Sequence, residues 1–333
     1  MNNTKRIEWI DNMRGICMLL VILHHSGAPD EYQKFLSPFF LSGFFFISGY
    51  LFDNPYKTFN WKLKLIRIFE SLIIPYFLYW IITYFIVAGY TEVYQKGNYN
   101  IILPFLKEIL LGSKLWFMSA LISSEIVLTF ILLFVKKRNI TLLTIAACFI
   151  GLWFFTPLSE YGMFYPWYAN CACISIVFMI CGILFRRMHL LRKNKILYSS
   201  VVLYILLYII DLAYNVTHFM FATNYFNNIL LFIIYAIIGI VGLACISQKY
   251  IPSNRILNYY GKNSLLVYFF CNQIITVCFK ATSSFTINWY LKSLLITVIV
   301  CIIIPLPIYV SHKLLPWMSG SFNKISTYYL SKK

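Results

Sequence analysis

The sequence predicts an all-α fold: a polytopic membrane bundle of about ten transmembrane helices. Three observations carry that prediction. Of the 333 residues, 60% are hydrophobic and only 12% are charged, about half the charge of an ordinary soluble domain. The apolar residues fall in blocks long enough to cross ~30 Å of hydrocarbon at 1.5 Å per residue. The basic residues between the blocks alternate between rich and poor loops, as a chain threading a bilayer requires.

Ten blocks are read in order: 10–28, 36–53, 65–89, 115–135, 139–156, 166–185, 196–214, 228–248, 263–281 and 289–311. The second and fifth are the shortest and still suffice to cross. Between the third and fourth lies IILPFLKEILLG, residues 101–112. It is too short and too charged to span and is read as an interfacial or re-entrant helix. Of the 28 lysines and arginines, 21 fall on the side of the N-terminus, 6 on the other side, and Arg14 lies within the first block. Miscounting one block would destroy this alternation. The positive-inside rule then places both termini in the cytoplasm. The net charge of +17 is thereby explained by topology, with the lipid bilayer as partner and no nucleic acid. Helices sharing one bilayer pack together, so residues 1–333 are read as a single integral membrane domain. Glu8, Asp11 and Arg14 run into the first block with no small-residue cleavage site after it, unlike a removable signal peptide. All nine cysteines lie inside apolar blocks, where they act as small hydrophobes, and no spacing predicts a metal site.

Ionisable groups at membrane depth are costly, so each is a functional candidate. In the first block, Arg14 and His25 are eleven residues apart, within about 20° of three whole helical turns. They share one face, ~16 Å apart along the axis, while His24 lies about 80° off it. Arg14 is either a snorkelling anchor or an anion ligand. His25 either hydrogen-bonds a neighbouring helix or acts chemically. Asp11, Asp53, Lys64, Arg67 and Glu70 gather at the cytoplasmic end; Asp53 and Lys64 read as surface charge, and Arg67 could pair with Glu70 or hold an anion. Glu125 is the deepest acid and must be paired or protonated, either orienting a base or pinning helices. Asp211 is read as wetted, near the outer end of its block. Asn272 and Gln273 read first as polar helix glue; His218 and His312 read as surface residues. There is no GxSxG and no glycine-rich phosphate loop.

These residues resemble the acyltransferase-3 family of integral membrane acyltransferases. IDNMRGICMLLVILHHSG resembles its first-helix signature of a basic residue, ten intervening residues and a histidine, matched by Arg14 and His25. PFFLSGFFFISGYLF (38–52), LIIPYFLYW (72–80), LWFMSALISSE (115–125) and GKNSLLVYFF (261–270) resemble four further blocks in the same order, the stretch 115–125 pointing to the branch with sugar O-acetylases. Cys271 stands where the last block often continues to histidine, and Glu70 stands where basic residues usually crowd. The resemblance implies transfer of an acyl group, most often acetyl, from cytoplasmic acyl-CoA to a hydroxyl of a surface polysaccharide or lipid-linked sugar. Acyl-CoA (acetyl-CoA) would be a co-substrate, with no permanently bound cofactor and no metal. Arg14 and Arg67 would hold the CoA phosphates. His25 would be the base or the acyl carrier; Glu125 is the catalytic candidate on its depth alone, as a group that could orient that base. Trp116 and Asn272 would contact the acceptor, Trp116 with Trp167 and Tyr168 doubling as an interfacial aromatic belt. The location implied is the bacterial inner membrane. A transporter or flippase for a polysaccharide or lipid-linked sugar is the competing expectation.

Overall fold

A computed structural model describes residues 7–52, 59–84, 102–113, 115–135, 138–156, 165–190, 194–214, 219–251, 254–284 and 287–320. Asp53, His218, residues 85–89 of the third expected block and several of the basic loop residues lie outside these. The described chain is helical almost throughout, with a two-residue hairpin (Phe219–Met220 and Tyr225–Phe226) as its sheet.

The helices are α1 (Glu8–His25), α2 (Asp30–Phe52), α3 (Trp61–Ile68), α4 (Ile74–Thr83), α5 (Ile102–Leu110), α6 (Trp116–Val135), α7 (Asn139–Trp153), α8 (Ala169–Arg187), α9 (Asn194–Tyr214), α10 (Ile229–Lys249), α11 (Arg255–Lys262), α12 (Ser264–Ala281), α13 (Trp289–Ile303) and α14 (Pro305–Leu314). Each of the ten expected blocks is occupied by helix. Eight helices are long and apolar enough to cross a membrane. The other two expected spans are α7, shorter and apolar, and α1, which carries Glu8, Asp11 and Arg14. Large apolar side chains that a soluble protein would bury are exposed along these rods, such as Val202, Leu206 and Ile209 on α9 and Leu294, Val298 and Ile302 on α13. The fold is an all-α membrane bundle, and lipid covers such faces.

Local sequence sets the boundaries. Asn60, Asn228, Asn254 and Asn288 cap α3, α10, α11 and α13, each side-chain oxygen accepting from an amide in the first turn. Between α3 and α4 the rod widens into a π-helical turn, Phe69–Ile73. Pro75, at the start of α4, has no N–H to bond the preceding turn and its ring crowds that turn, where the helix widens. Pro305 separates α13 from α14 in the same way. The expected non-spanning segment is α5, whose Leu103, Leu106 and Leu110 are exposed along one stripe; nine residues cover only about 14 Å.

The chain groups into two compact units. The first gathers 1–55, 178–219 and 226–310; the second gathers 56–177, 220–225 and 311–333. In the first unit α1 is central, packing against α2, α10, α11, α12 and α13. Two helix crossings there bring backbones into contact. A Cβ on Gly15 would strike the Leu257 carbonyl, and one on Gly261 would strike that of Asp11, so α1 and α11 each press a glycine onto the other. Gly49 against Met179 and Gly182 against Phe46 repeat the arrangement between α2 and α8. Small residues of this kind let helices associate where lipid removes the hydrophobic drive. In the second unit α3 packs on α6, and α6 on the Pro166–Tyr168 turn.

Candidate functional site

α1 is unbroken from Glu8 to His25, so the predicted common face of Arg14 and His25 follows from regular helix geometry. Its acids, Glu8 and Asp11, lie in the first turn, and His24 and His25 in the last, each sign matching the helix dipole. The helix ends three residues before the expected limit of 28. Ser26 and Gly27 turn the chain, Gly27 with a φ of 80° that glycine adopts without strain. His25 therefore closes the helix and is exposed, while Arg14 is half-buried. Asp11 and Asn12, at 3% and 1% exposure, are buried in the seam with α11.

The two histidines separate in role. The His24 ring lies 5.2 Å edge-on from His25 and 5.6 Å from Phe40, and its Nδ1 is 3.5 Å from the Ser37 hydroxyl. It is packed between α1 and α2, and this leaves His25 as the accessible imidazole. The surroundings of the His25 end are aromatic. Gly27 faces Trp289, whose ring stacks on Phe279 at 6.5 Å and 25°. Tyr32 meets Tyr290 edge-to-face at 6.0 Å. Asn272 is exposed on α12, next to the buried Cys271.

At the opposite end of this unit, Arg186 donates to the Tyr50 carbonyl at 2.8 Å and lies 5.5 Å over its ring. Trp9 meets the same ring edge-on at 5.2 Å. Sequence reading missed this cluster, although Arg186 and Tyr50 both close expected spans. In the α11 seam, the Tyr260 hydroxyl donates to the Cys301 carbonyl at 2.6 Å. Burial pushes its phenol up, so it stays a neutral donor.

The second unit holds Arg67, Glu70, Trp116 and Glu125. Lys64 Nζ is 2.9 Å from Glu125 Oε2, with the side chains 21% and 10% exposed. This corrects the reading of Lys64 as surface charge: the deep acid needs a counter-ion, and Lys64 on α3 supplies it. The pair ties α3 to α6. Glu70, in the π-helical turn, is 2% exposed, whereas Arg67 is exposed and its carbonyl accepts from Ser71 at 2.6 Å. The widened turn puts the two in different environments. Asp211, expected to be wetted, is buried in the first unit at 2% exposure.

Trp116, Trp167 and Tyr168 form a packed cluster. Trp116 stacks on Phe221 at 5.7 Å and lies 6.5 Å from Tyr168. Trp167 sits against Tyr76 at 5.2 Å, its amide bonded to the Leu111 carbonyl and its own carbonyl accepting from Ser123. Trp167 and Tyr168 hold φ of 57° and 49°, a costly conformation fixed by these bonds. Trp116 is thus half-covered by its own unit.

Among the described residues no group of three or more His, Cys, Asp or Glu could hold a metal ion. All nine cysteines are free thiols, six of them buried. Comparison with family models matches residues 7–306 to one described as an acyltransferase domain, a match that runs through parts of both units. Comparison with curated proteins and with solved structures returns no match.

Proposed function

This chain belongs to the acyltransferase-3 family, and from that premise we propose that it moves an acyl group, foremost acetyl, from cytoplasmic acyl-CoA to a hydroxyl of a cell-surface or lipid-linked sugar. It is a membrane acyltransferase; donor, acceptor and the role of His25 are the proposal. The observation that carries it is α1 itself. One continuous helix at the centre of its unit holds a half-buried guanidinium near its start and an exposed imidazole at its end. Guanidinium binds phosphate strongly, and ~16 Å separates it from the imidazole, a span for the pantetheine arm.

In the direct route, the neutral nitrogen of His25 takes the proton of the acceptor hydroxyl while its oxygen attacks the thioester carbonyl. The C–O bond forms, the C–S bond breaks, and the imidazolium returns the proton to the CoA thiolate. In the covalent route, the neutral nitrogen of His25 attacks the thioester carbonyl and the C–S bond breaks to release CoA thiolate; the acceptor oxygen then takes the acyl group from the acyl-imidazole as the C–N bond breaks, and the acceptor's proton ends on the thiolate. Arg14 is assigned to the donor phosphates. Arg67, an exposed cation of the other unit, is a separate candidate for an anion. Asn272 is assigned to the acceptor, Trp116 less so because Phe221 covers it. A bacterial cell membrane with both termini cytoplasmic is the setting proposed.

The test is transfer of label from radiolabelled acetyl-CoA to surface glycan in membranes containing the protein. His25→Ala is expected to abolish transfer while inserting at the wild-type level. Normal transfer by that variant would overturn the assignment of His25. Glycan translocation by the purified protein without label transfer would favour the transporter reading.

A further inference from the structure

The turn that follows His25 is flanked by an aromatic surface that the acyl-transfer reading does not yet use. Gly27 has no side chain, and the space where a Cβ would stand lies 2.9 Å from Cζ2 of Trp289 and 3.3 Å from Cζ of Phe279. The indole of Trp289 thus rests on the backbone two residues from His25. Two trans peptide steps reach at most about 7.6 Å. Phe279 backs the indole, with the ring centroids 6.5 Å apart and 25° between planes, yet Trp289 remains 53% exposed. Beside it Tyr32 and Tyr290, at 46% and 45% exposure, make a second aromatic pair 6.0 Å apart. Asp30 and Glu31, exposed in the first turn of α2, bring carboxylates to the same turn.

We propose that Trp289, held against Gly27 and backed by Phe279, is the platform on which the sugar ring of the acceptor stacks, presenting its hydroxyl to His25. The proposal rests on the acyl-transfer reading and names the acceptor subsite within it. A hexose has a face of C–H bonds that packs on an aromatic plane and a rim of hydroxyls that needs acceptors. A few convergent polar groups around aromatic walls are the usual make-up of a small-molecule site. The occupant is a carbohydrate rather than a lipid tail because the exposed ring stands beside the reacting imidazole, which must meet a hydroxyl, and beside carboxylates, which hydrocarbon would exclude. Gly27 is part of the device: a side chain there would displace the indole from the turn.

The experiment uses membranes containing the full chain, radiolabelled acetyl-CoA as donor, and as acceptor the cells' own surface glycan stripped of its esters by mild alkali. Trp289→Ala is expected to raise the KM for glycan about tenfold, leave the KM for acetyl-CoA unchanged, and insert normally; Trp289→Tyr should recover most of the loss. An unchanged glycan KM in Trp289→Ala, or a lower level of inserted protein with normal kinetics, would make the residue an interfacial anchor and overturn the proposal. Retention of labelled glycan on the solubilised protein is measured in parallel. Loss of retention in Trp289→Ala with wild-type retention in His25→Ala supports the platform even if no label is transferred, a result that would instead sink the acyl-transfer reading. Equal retention by wild type and Trp289→Ala overturns the platform whatever the kinetics of His25 variants.

Discussion

Lys64 and Glu125 show what a single buried charge demands. A carboxylate near mid-bilayer is tolerated once a cation meets it, and the 2.9 Å contact provides that. Removing one partner leaves the other poorly solvated, so Lys64→Ala is expected to lower stability by about 1–3 kcal/mol, between the exposed and buried limits for ion pairs. The exchanged pair, Lys64→Glu with Glu125→Lys, should regain most of it; thermal unfolding of the three variants in detergent measures this. That Glu125 must be compensated was legible in the sequence from its depth. Its partner was not, because pairing across two helices depends on their packing and not on local spacing. Asp211 failed for the same reason: position near the end of a block says nothing about which neighbours cover it. That Arg14 and His25 share one helix face was legible because spacing along an unbroken helix fixes direction.

Helices were read well where their signals are local. Blocks of apolar residues marked the spans, and asparagines mark four helix starts. The π-helical turn at Phe69–Ile73 was missed. Pro75 is visible in the sequence, but whether the strain of proline is relieved by a kink or by a widened turn depends on what the helix packs against. The glycine crossings were equally hidden, since Gly15 and Gly261 acquire their meaning only when α1 meets α11. Gly261→Val is expected to force these backbones apart and to destabilise the protein by about 1–3 kcal/mol or more, the range for overpacking. Gly151, with open space around its Cα, serves as the control: Gly151→Val should leave the melting temperature nearly unchanged. Equal melting shifts for the two variants would refute the account of the crossing.

At the scale of the whole chain, the charge count predicts ten spans, and among the described residues eight helices are long and apolar enough to cross a membrane; an even number of crossings would return both ends to one side. Epitope tags at either terminus should therefore be labelled only after the membrane is permeabilised from outside; labelling of one tag in intact cells would break the scheme. The grouping into two units was not legible, because the first is assembled from three separated stretches and nothing local marks the returns. That assembly bears on biosynthesis. α1 leaves the ribosome before α11, α12 and α13, yet these are among the partners that close around it. Until they arrive, a nascent helix bearing an arginine, an aspartate and two histidines must wait in or beside the translocon without its permanent neighbours. Messages truncated before codon 255 would then yield products whose leading segment never finds its seat, natural prey for membrane quality-control proteases.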